Sequence, residues 1–203
     1  MEQKGVTVWF TGMSGAGKTA LALRLEEELR ARGLRVERLD GDIVRQSLTR
    51  DLGFSEEDRA KNIERITFVA KLLTRNDVAV LCSFISPYRQ VRADTREQVG
   101  NFVEVYCYAP LETLIERDVK GLYKKAIAGE IKNFTGISDP YEPPENPEVM
   151  IDSGTETIEE SLVKILSKLE ELGYAPPAEE PDGAYSADEE AEIESRLAAL
   201  GYL

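Results

Sequence analysis

The sequence predicts an α/β fold built on a doubly wound parallel sheet with helices on both faces. Two observations support this prediction. Short apolar runs alternate with stretches of helical periodicity along most of the chain, and such alternation is typical of parallel strands joined by crossover helices. The chain has 203 residues, of which 42% are hydrophobic. This is enough apolar material for the core of one domain.

Five apolar runs are predicted to be strands, because each is short and is bounded by turn residues or by a helical pattern. They span residues 6–12, 34–42, 77–86, 101–109 and 147–154. None of these runs, and no other stretch of the sequence, approaches the roughly 18 apolar residues of a membrane-spanning helix. We therefore expect no membrane association.

Helices are predicted over five stretches, which span residues 18–33, 55–76, 87–100, 110–118 and 155–173. In the first stretch, Leu21, Leu25 and Leu29 recur at helical spacing and form one apolar face. The second begins with Ser55 and Asp58, whose spacing is typical of a capped helix N-terminus. These stretches provide the helical layers of the predicted fold.

Two segments interrupt the alternation. Residues 119–146 combine a short basic helix with a glycine- and proline-rich turn, and an insertion of this length predicts a lid within the domain formed by residues 1–173. Residues 174–185 are rich in proline and predict a linker. Residues 186–203 predict an acidic amphipathic helical tail. Its role, as a packed helix or as a docking segment, stays open.

The net charge of −13 argues against nonspecific binding of nucleic acid, although a local basic cluster would still bind a small anion. Cys82 and Cys107 are the only cysteines, and both lie in apolar runs that predict buried thiols. This usage fits a reducing compartment, and the N-terminus lacks the pattern of a signal peptide. We therefore expect a cytoplasmic protein. The absence of histidine leaves carboxylates, lysine, tyrosine or water for proton transfer.

The segment GMSGAGKT lies between the first predicted strand and the first predicted helix. In this context the pattern G-x-x-x-x-G-K-T indicates phosphate binding, because glycines let backbone N–H groups converge on an anion. We predict that Lys18 reaches the β- and γ-phosphates of ATP and that the Thr19 hydroxyl ligates Mg²⁺. The alternative is a strand-to-helix turn without a ligand. The predicted nucleotide-binding residues are Gly12, Met13, Ser14, Gly15, Ala16, Gly17, Lys18 and Thr19.

Polar residues at the ends of two further strands predict an acceptor site, since ligands of parallel sheets bind at the carboxyl edge. Asp40 and Asp42 lie at the end of the second predicted strand, and either could orient an acceptor hydroxyl, accept its proton or hold a Mg²⁺-bound water. Ser86 lies at the end of the third predicted strand, where it could bond a substrate oxygen. A helix cap is the alternative role for Asp42 and for Ser86.

Three further polar residues are candidates for binding phosphate or sulfate oxygens. Arg45 lies about one helical turn after Asp42, and Arg59 and Asn62 are spaced at i and i+3 in one predicted helix. The alternative is that these side chains form a solvated helix face.

The chain resembles the adenylylsulfate kinase family of P-loop kinases over about residues 5 to 172. The resemblance lies in the segments GMSGAGKT, LDGDIVR, LGFSEEDRAKNIERI and FISPYR and, most specifically, in the lid segment KGLYKKAIAGEIKNFTGISDPYE. It implies a P-loop kinase fold and a homodimer. It also implies that MgATP phosphorylates the 3′-hydroxyl of adenylylsulfate (adenosine 5′-phosphosulfate), giving 3′-phosphoadenylylsulfate and ADP.

Matched residue by residue, the resemblance implies that Asp42 lies near the acceptor hydroxyl and that Phe54 and Phe134 sandwich the acceptor adenine. We expect both phenylalanines to lie outside the core. Ser86 matches the family's phosphoserine position, although direct in-line transfer needs no covalent step. Lys18, Asp42 and Ser86 are the predicted catalytic residues. The remaining predicted substrate contacts are Asp40, Arg45, Arg59, Asn62, Ile85 and Lys120.

Ile43 and Tyr108 depart from the family pattern, which often has asparagine after DGD and aspartate at the end of the strand before PLE. Two other functions stay open from the residues alone. One is a P-loop kinase of another small-molecule hydroxyl, which would lack the purine clamp. The other is a non-catalytic nucleotide-binding regulatory module.

Overall fold

A computed structural model describes residues 2–177 and residue 196. Within these residues, five strands form one parallel sheet in the order β2-β3-β1-β4-β5. The fold class is the predicted one, and each strand is shorter than its apolar run. The strands are β1 (Val6–Thr11), β2 (Val36–Asp40), β3 (Ala79–Ser83), β4 (Phe102–Tyr108) and β5 (Val149–Asp152).

Seven helices lie in the same described part of the chain. Five of them coincide with the predicted stretches, and α6 is the short basic helix predicted in the lid. The short helix α2 was not predicted. The helices are α1 (Lys18–Ala31), α2 (Gly41–Val44), α3 (Glu56–Thr74), α4 (Arg89–Val99), α5 (Leu111–Arg117), α6 (Leu122–Ile127) and α7 (Ile158–Glu171).

Strand β1 occupies the centre of the sheet, and all of its residues are buried. Val8 and Phe10 pack into the cluster that contains α1 and α7, whereas Trp9 packs with residues of α3 on the opposite face. Because both faces are covered, β1 has a continuous apolar sequence rather than an alternating one. Its carboxyl end therefore brings the GMSGAGKT loop between the ends of β3 and β4.

Strand β2 turns directly into α2, and this turn corrects one prediction. Asp40, not Asp42, caps α2, because the Asp40 Oδ1 accepts a hydrogen bond from the backbone N–H of Asp42 at 3.0 Å. The strand ends before its predicted boundary at residue 42, so the capping position falls two residues earlier. The carboxylate of Asp42 is left at the surface of the site, with a side-chain exposure of 71%.

The lid is anchored on the GMSGAGKT loop through α6. Tyr123 is buried in the main core cluster, and its hydroxyl donates a hydrogen bond to the Ser14 carbonyl at 2.9 Å. Gly136, further along the lid, lies against the side chain of Met13. The lid segment is therefore packed over the first turn of the loop.

The domain continues past residue 173, where the sequence predicts a linker. Tyr174 packs against the core, Ala175 is buried, and the Pro176 carbonyl accepts a hydrogen bond from Arg32 at 2.8 Å. The predicted tail helix over 186–203 and most of the predicted linker lie outside the described residues.

Cys82 and Cys107 are buried free thiols, as predicted. Across residues 2–177, no helix is long and apolar enough to cross a membrane.

Candidate active site

The loop between β1 and α1 has the backbone geometry of a phosphate cradle. Gly12, Gly15 and Gly17 all have positive φ angles, of 144°, 79° and 84°. At Gly12 a Cβ atom would lie 2.2 Å from the carbonyl oxygen of Cys107, so no larger residue fits there without moving β4. The loop then runs into the N-terminus of α1, where unpaired backbone N–H groups favour an anion.

Lys18 is held inside this loop. Its Nζ donates hydrogen bonds to the carbonyl oxygens of Gly12 and Met13 at 2.9 and 2.8 Å. Burial disfavours its charged form and lowers the pKa of Lys18 from 10.5 to about 8. A triphosphate in the loop would offer anionic oxygens in place of the two carbonyls. The Lys18 ammonium group would then form charge-assisted hydrogen bonds, which are stronger than its bonds to neutral carbonyls.

We expect ATP binding to take up a proton at pH 9. The pKa of Lys18 is depressed, so the lysine loses its proton as the pH rises through about 8, and phosphate oxygens would favour its charged form again. The ATP affinity of the protein should therefore fall between pH 8 and pH 10. Calorimetry at pH 9 in two buffers of different ionisation enthalpy should reveal uptake approaching one proton per ATP. Lys18→Met should abolish it, and a wild-type protein that takes up no proton would contradict the prediction.

Thr19 and Asp40 form the candidate Mg²⁺ position. The Thr19 hydroxyl donates a hydrogen bond to the Asp40 Oδ2 at 2.9 Å, and Asp40 is buried. A hydroxyl and a carboxylate beside the phosphate cradle are hard oxygen ligands, which fit Mg²⁺. Among the described residues there is no cluster of three or more acidic or cysteine side chains that would form a complete protein cage.

Asp42 lies beside Lys120, which comes from the start of the lid. The Lys120 Nζ and the Asp42 Oδ2 are 2.5 Å apart, and both side chains are more than half exposed. The predicted acceptor carboxylate is thus paired with the predicted lid lysine across 78 residues of sequence. The pair places a lid cation at the edge of α2.

Arg59 joins α3 to the far end of the lid. Its guanidinium donates to the Thr135 hydroxyl at 2.5 Å and to the Asn133 carbonyl, and it lies 3.7 Å from the Asp139 carboxylate. Its Nε donates to the Phe54 carbonyl at 2.9 Å. Arg59 therefore lies between the two segments that carry the predicted adenine clamp, and it is not part of a solvated helix face.

Phe54 is an exposed ring supported from one side. It is 60% exposed, and the Arg45 guanidinium lies 4.4 Å from its ring centroid. Arg45 also donates to the carbonyls of Leu52 and Gly53, at 3.2 and 3.0 Å. Burial, followed by the nearby charge of Arg59, lowers the pKa of Arg45. A cation on one face of the ring leaves the other face available for a flat ligand.

Phe134 differs from its expectation. It is only 9% exposed and packs edge-on against Tyr123, with the ring centroids 5.1 Å apart. The expectation that Phe134 lies outside the core is wrong, because the lid folds back onto α6 and brings its own apolar residues with it. Phe134 nevertheless directly follows Asn133 and precedes Thr135, both of which contact Arg59.

Two buried polar atoms near the acceptor edge have no hydrogen-bond partner among the described residues. They are the Asn62 Oδ1 on α3 and the Ser83 Oγ at the end of β3. Buried polar atoms are nearly always paired in folded proteins. Unpaired atoms of this kind at the carboxyl edge of a parallel sheet are consistent with a ligand that supplies the missing hydrogen bonds.

Ser86 is buried behind this edge. Its hydroxyl accepts a hydrogen bond from the Trp9 Nε1 at 3.0 Å and donates to the Thr11 Oγ1 at 3.2 Å. The alternative of Ser86 as a helix cap is wrong, because α4 begins after Tyr88 and has no side-chain cap. Ile85, also predicted as a contact, is joined to the end of β1 by a hydrogen bond from the Thr11 hydroxyl to its carbonyl at 2.8 Å.

The glycine-rich loop, the predicted lid segment and the predicted acceptor residues Arg45 and Arg59 thus lie at one end of the parallel sheet. A family model described as adenylylsulphate kinase matches residues 4–152. The chain belongs to the adenylylsulfate kinase family.

Individual members of the adenylylsulfate kinase family match most of the chain. The adenylyl-sulfate kinase of Halothermothrix orenii is 64% identical over 172 residues, which are 85% of this chain and 93% of the relative. The APS kinase CysC of Mycobacterium tuberculosis, solved in complex with AMPPNP and APS, has a TM-score of 0.79 at 43% identity and covers 83% of this chain and 99% of its own. The hexameric APS kinase from Thiobacillus denitrificans has a TM-score of 0.65 at 39% identity, covering 86% of this chain and 30% of its own.

Membership of the adenylylsulfate kinase family decides between the functions that the residues alone left open. The chain is an ATP-dependent kinase of this family. A non-catalytic regulatory module and a kinase of an unrelated alcohol are both excluded by this assignment. The resemblance identified from the sequence motifs is confirmed.

Three residues that are hydrogen-bonded around the predicted site are not among the residues predicted from the sequence. Thr11, Arg92 and Tyr141 are hydrogen-bonded around Ser86 and the last part of the lid. Thr11 was assigned only to a strand, and Arg92 only to a helix. No local pattern distinguishes a buried arginine in a charged helix from a solvated one, so the sequence carried no signal for Arg92.

Proposed function

We propose that the chain transfers the γ-phosphoryl group of ATP directly to the 3′-hydroxyl of adenylylsulfate, which produces 3′-phosphoadenylylsulfate and ADP. The observation that carries the proposal is Arg59, whose side chain joins the Phe54 segment to the lid segment around Phe134. An anionic nucleotide between these segments would lie at the same sheet edge as the phosphate cradle. In-line transfer needs the two substrates in this facing arrangement.

Lys18 and the backbone N–H groups of the cradle stabilise the negative charge of the transferring phosphoryl group. Lys18 already lies in the loop, so its charge needs little reorganisation when ATP binds. Thr19 and Asp40 would hold Mg²⁺, which when bound neutralises charge on the phosphate oxygens. Lys18, the backbone N–H groups and the bound Mg²⁺ would all stabilise charge, and none of them would form a covalent bond to the transferred group.

Asp42 orients the acceptor 3′-hydroxyl and accepts its proton. Its carboxylate is exposed at the edge of the site, so a substrate can reach it. Its pairing with Lys120 means that acceptor binding replaces an ion pair, and Lys120 then becomes available to a phosphate group. The pair thus couples the position of the first lid residues to the state of the acceptor site.

The remaining acceptor contacts in the proposal are Arg45, Arg59, Asn62 and Ile85. The guanidinium of Arg59 and the amide of Asn62 supply hydrogen-bonding groups for the phosphosulfate and the sugar, and Asn62 has a buried oxygen without a partner among residues 2–177. Arg45 supports the Phe54 ring. The Ser86 hydroxyl is bonded on both sides and is 3% exposed, which favours direct transfer over a phosphoserine intermediate.

The experiment that tests this function measures ADP release from ATP and Mg²⁺ with three kinds of acceptor: adenylylsulfate, AMP and a simple sugar. AMP shares the adenosine and the 3′-hydroxyl but lacks the sulfate, so it isolates the phosphosulfate contacts. We expect rapid release with adenylylsulfate and little with the others. Equal rates with AMP, or no acceptor-dependent release, would refute the proposal.

We expect Phe54→Ala to raise the KM for adenylylsulfate about 10- to 100-fold, because one stacked aromatic ring contributes roughly 1–3 kcal/mol to the binding of a base. The KM for ATP should stay within twofold. Phe54 is the better probe of the clamp, because its ring is exposed and its loss creates no cavity, whereas Phe134→Ala also opens the packing against Tyr123. Steady-state kinetics with each substrate varied test this, and an unchanged KM for adenylylsulfate would show that no purine clamp exists.

The proposal extends to a homodimer, as the family resemblance implies, and to the cytoplasm, as the cysteine usage indicates. Two buried free thiols support a reducing compartment. Sedimentation equilibrium of the full chain would distinguish a dimer from a monomer or from a larger assembly.

A further inference from the structure

We propose that Arg92 is a positioning residue that ties the end of the lid to the acceptor edge of the sheet. The inference rests on the proposed function, because it concerns how the same site is held in shape. Arg92 lies on α4 and is only 3% exposed. None of the groups already assigned to binding or transfer explains why a charged side chain is buried at this position.

The guanidinium of Arg92 connects three different parts of the chain. Its Nε donates to the Glu104 Oε1 on β4 at 2.8 Å. One terminal nitrogen donates to the Ser86 carbonyl at 2.6 Å, and the other donates to the Glu142 carbonyl at 2.7 Å. Ser86 follows the strand that carries the acceptor contacts, and Glu142 stands where the lid returns to the domain. One side chain therefore fixes both segments relative to the sheet.

The lid root, defined as Tyr141 and Glu142, is joined to the same strand end by further hydrogen bonds. The Glu142 backbone N–H donates to the Pro87 carbonyl at 2.9 Å. The Tyr141 hydroxyl lies 2.9 Å from the Thr11 Oγ1, and Thr11 uses its one proton for the Ile85 carbonyl. Tyr141 is consequently the donor to Thr11. These bonds link the end of β1, the acceptor edge and the lid root in one network.

The backbone at Ser86 needs this support. Its φ angle is +40°, in the left-handed region that is unfavourable for a residue with a Cβ atom. Such a conformation persists only where surrounding contacts hold it. The Arg92 bond to the Ser86 carbonyl and the Trp9 and Thr11 bonds to its hydroxyl provide those contacts. Ile85 and Ser86 are thus set in place before the acceptor binds.

An arginine is required by the geometry and not only by the charge. The three acceptors of Arg92 lie on three separate segments, and a guanidinium presents its donors in a fixed plane. Lysine at this position would keep the charge opposite Glu104 but could not reach both carbonyls in the same arrangement. Arg96, one turn further along α4, provides a matched comparison. It pairs with Glu148 at 2.6 Å and reaches Glu104 at 3.5 Å, and it touches neither Ser86 nor the lid root.

The test compares Arg92→Lys with Arg96→Lys in the full chain. We expect Arg92→Lys to raise the KM for adenylylsulfate and to lower kcat, each about tenfold, with the KM for ATP within twofold of wild type. Arg96→Lys should leave all three constants within twofold. The proposal is overturned if the two variants have the same kinetic constants, or if Arg92→Lys changes only thermal stability.

Trp9 supplies a readout that does not depend on turnover. It is the only tryptophan in the chain, and its indole N–H donates to the Ser86 hydroxyl. The indole ¹H–¹⁵N resonance should therefore shift or broaden in Arg92→Lys and stay at its wild-type position in Arg96→Lys. An unshifted resonance in Arg92→Lys would overturn the proposal even if activity fell. A wild-type enzyme that does not phosphorylate adenylylsulfate would refute the proposed function and leave this structural test intact.

If Arg92→Lys does not fold, the double variant Arg92→Gln/Glu104→Gln decides the question. It removes both charges together, so neither is left buried and unpaired. Its matched control is Arg96→Gln/Glu148→Gln, which neutralises the neighbouring pair. The same kinetic and spectroscopic differences are expected between these two double variants, and their absence would overturn the proposal.

Discussion

Lys18→Met should lower kcat on the order of 10³-fold, equivalent to about 4 kcal/mol of transition-state stabilisation. Phosphoryl transfer depends almost entirely on positioning and on charge stabilisation. The Lys18 side chain lies within the phosphate cradle, where its Nζ donates to two loop carbonyls. Methionine keeps the length and the apolar stem of the side chain and removes the charge. A coupled assay of ADP release under saturating substrates measures the effect.

Lys164→Met is the control for this variant. Lys164 lies on α7, where it pairs with Glu156 at 2.8 Å, and no site residue contacts it. The Lys164→Met variant should retain the wild-type kcat. The fold of Lys18→Met should survive, since the change removes a buried charge whose solvation is lost on folding. A kcat within tenfold of wild type for Lys18→Met would show that the backbone of the loop stabilises the transition state without the lysine.

The backbone geometry of the loop between β1 and α1 could be predicted from the sequence because its determinants are contiguous. GMSGAGKT specifies a turn, a helix start and a lysine in one segment, and the structure places Gly12, Gly17 and Lys18 as that pattern requires. The sequence also predicts where an acceptor would bind, since the carboxyl ends of parallel strands meet at one edge of the sheet, and this location stays a prediction. Both inferences use only local pattern and sheet topology.

What the sequence could not predict depends on contacts between distant segments. Phe54 and Phe134 both follow loop-like patterns, yet one is exposed and the other is packed against Tyr123. The difference arises from how the lid folds back onto α6, and the irregular segment between α6 and Phe134 has no periodicity that would predict this packing. Asp42 was the alternative candidate for a helix cap, but Asp40 is the cap, because the end of β2 is set by its pairing with β3.

The two ends of the lid are held by different kinds of contact. At its start, Lys120 forms an exposed ion pair with Asp42. At its end, Arg92 and Tyr141 form buried hydrogen bonds. Exposed pairs of this kind contribute little to stability. The Lys120–Asp42 pair can therefore break at small cost. Tyr123, in contrast, keeps the neighbouring helix α6 packed on the core, and the buried bonds of Arg92 and Tyr141 hold the other end on the sheet.

Asp42→Asn should lower kcat about 10²- to 10⁴-fold, the usual contribution of a positioned acid or base. Asparagine keeps the shape of the side chain and can still accept a hydrogen bond from the hydroxyl, but it cannot accept the proton. We therefore expect the KM for adenylylsulfate to change much less than kcat. Asp42 is exposed and its ion pair with Lys120 is a surface pair, so the melting temperature should barely change.

Asp51→Asn is the matched control, because Asp51 is another exposed carboxylate paired with a base, Arg65, at 2.6 Å, and it contacts no predicted site residue. The Asp51→Asn variant should retain the wild-type kcat and KM values. A raised KM with unchanged kcat in Asp42→Asn would assign Asp42 to acceptor binding alone, and a kcat within threefold of wild type would remove it from the transfer step. Lys120→Met in the Asp42→Asn background separates the two contributions of this pair. If Lys120 acts on phosphate as proposed, its loss should lower kcat further even when the carboxylate is absent.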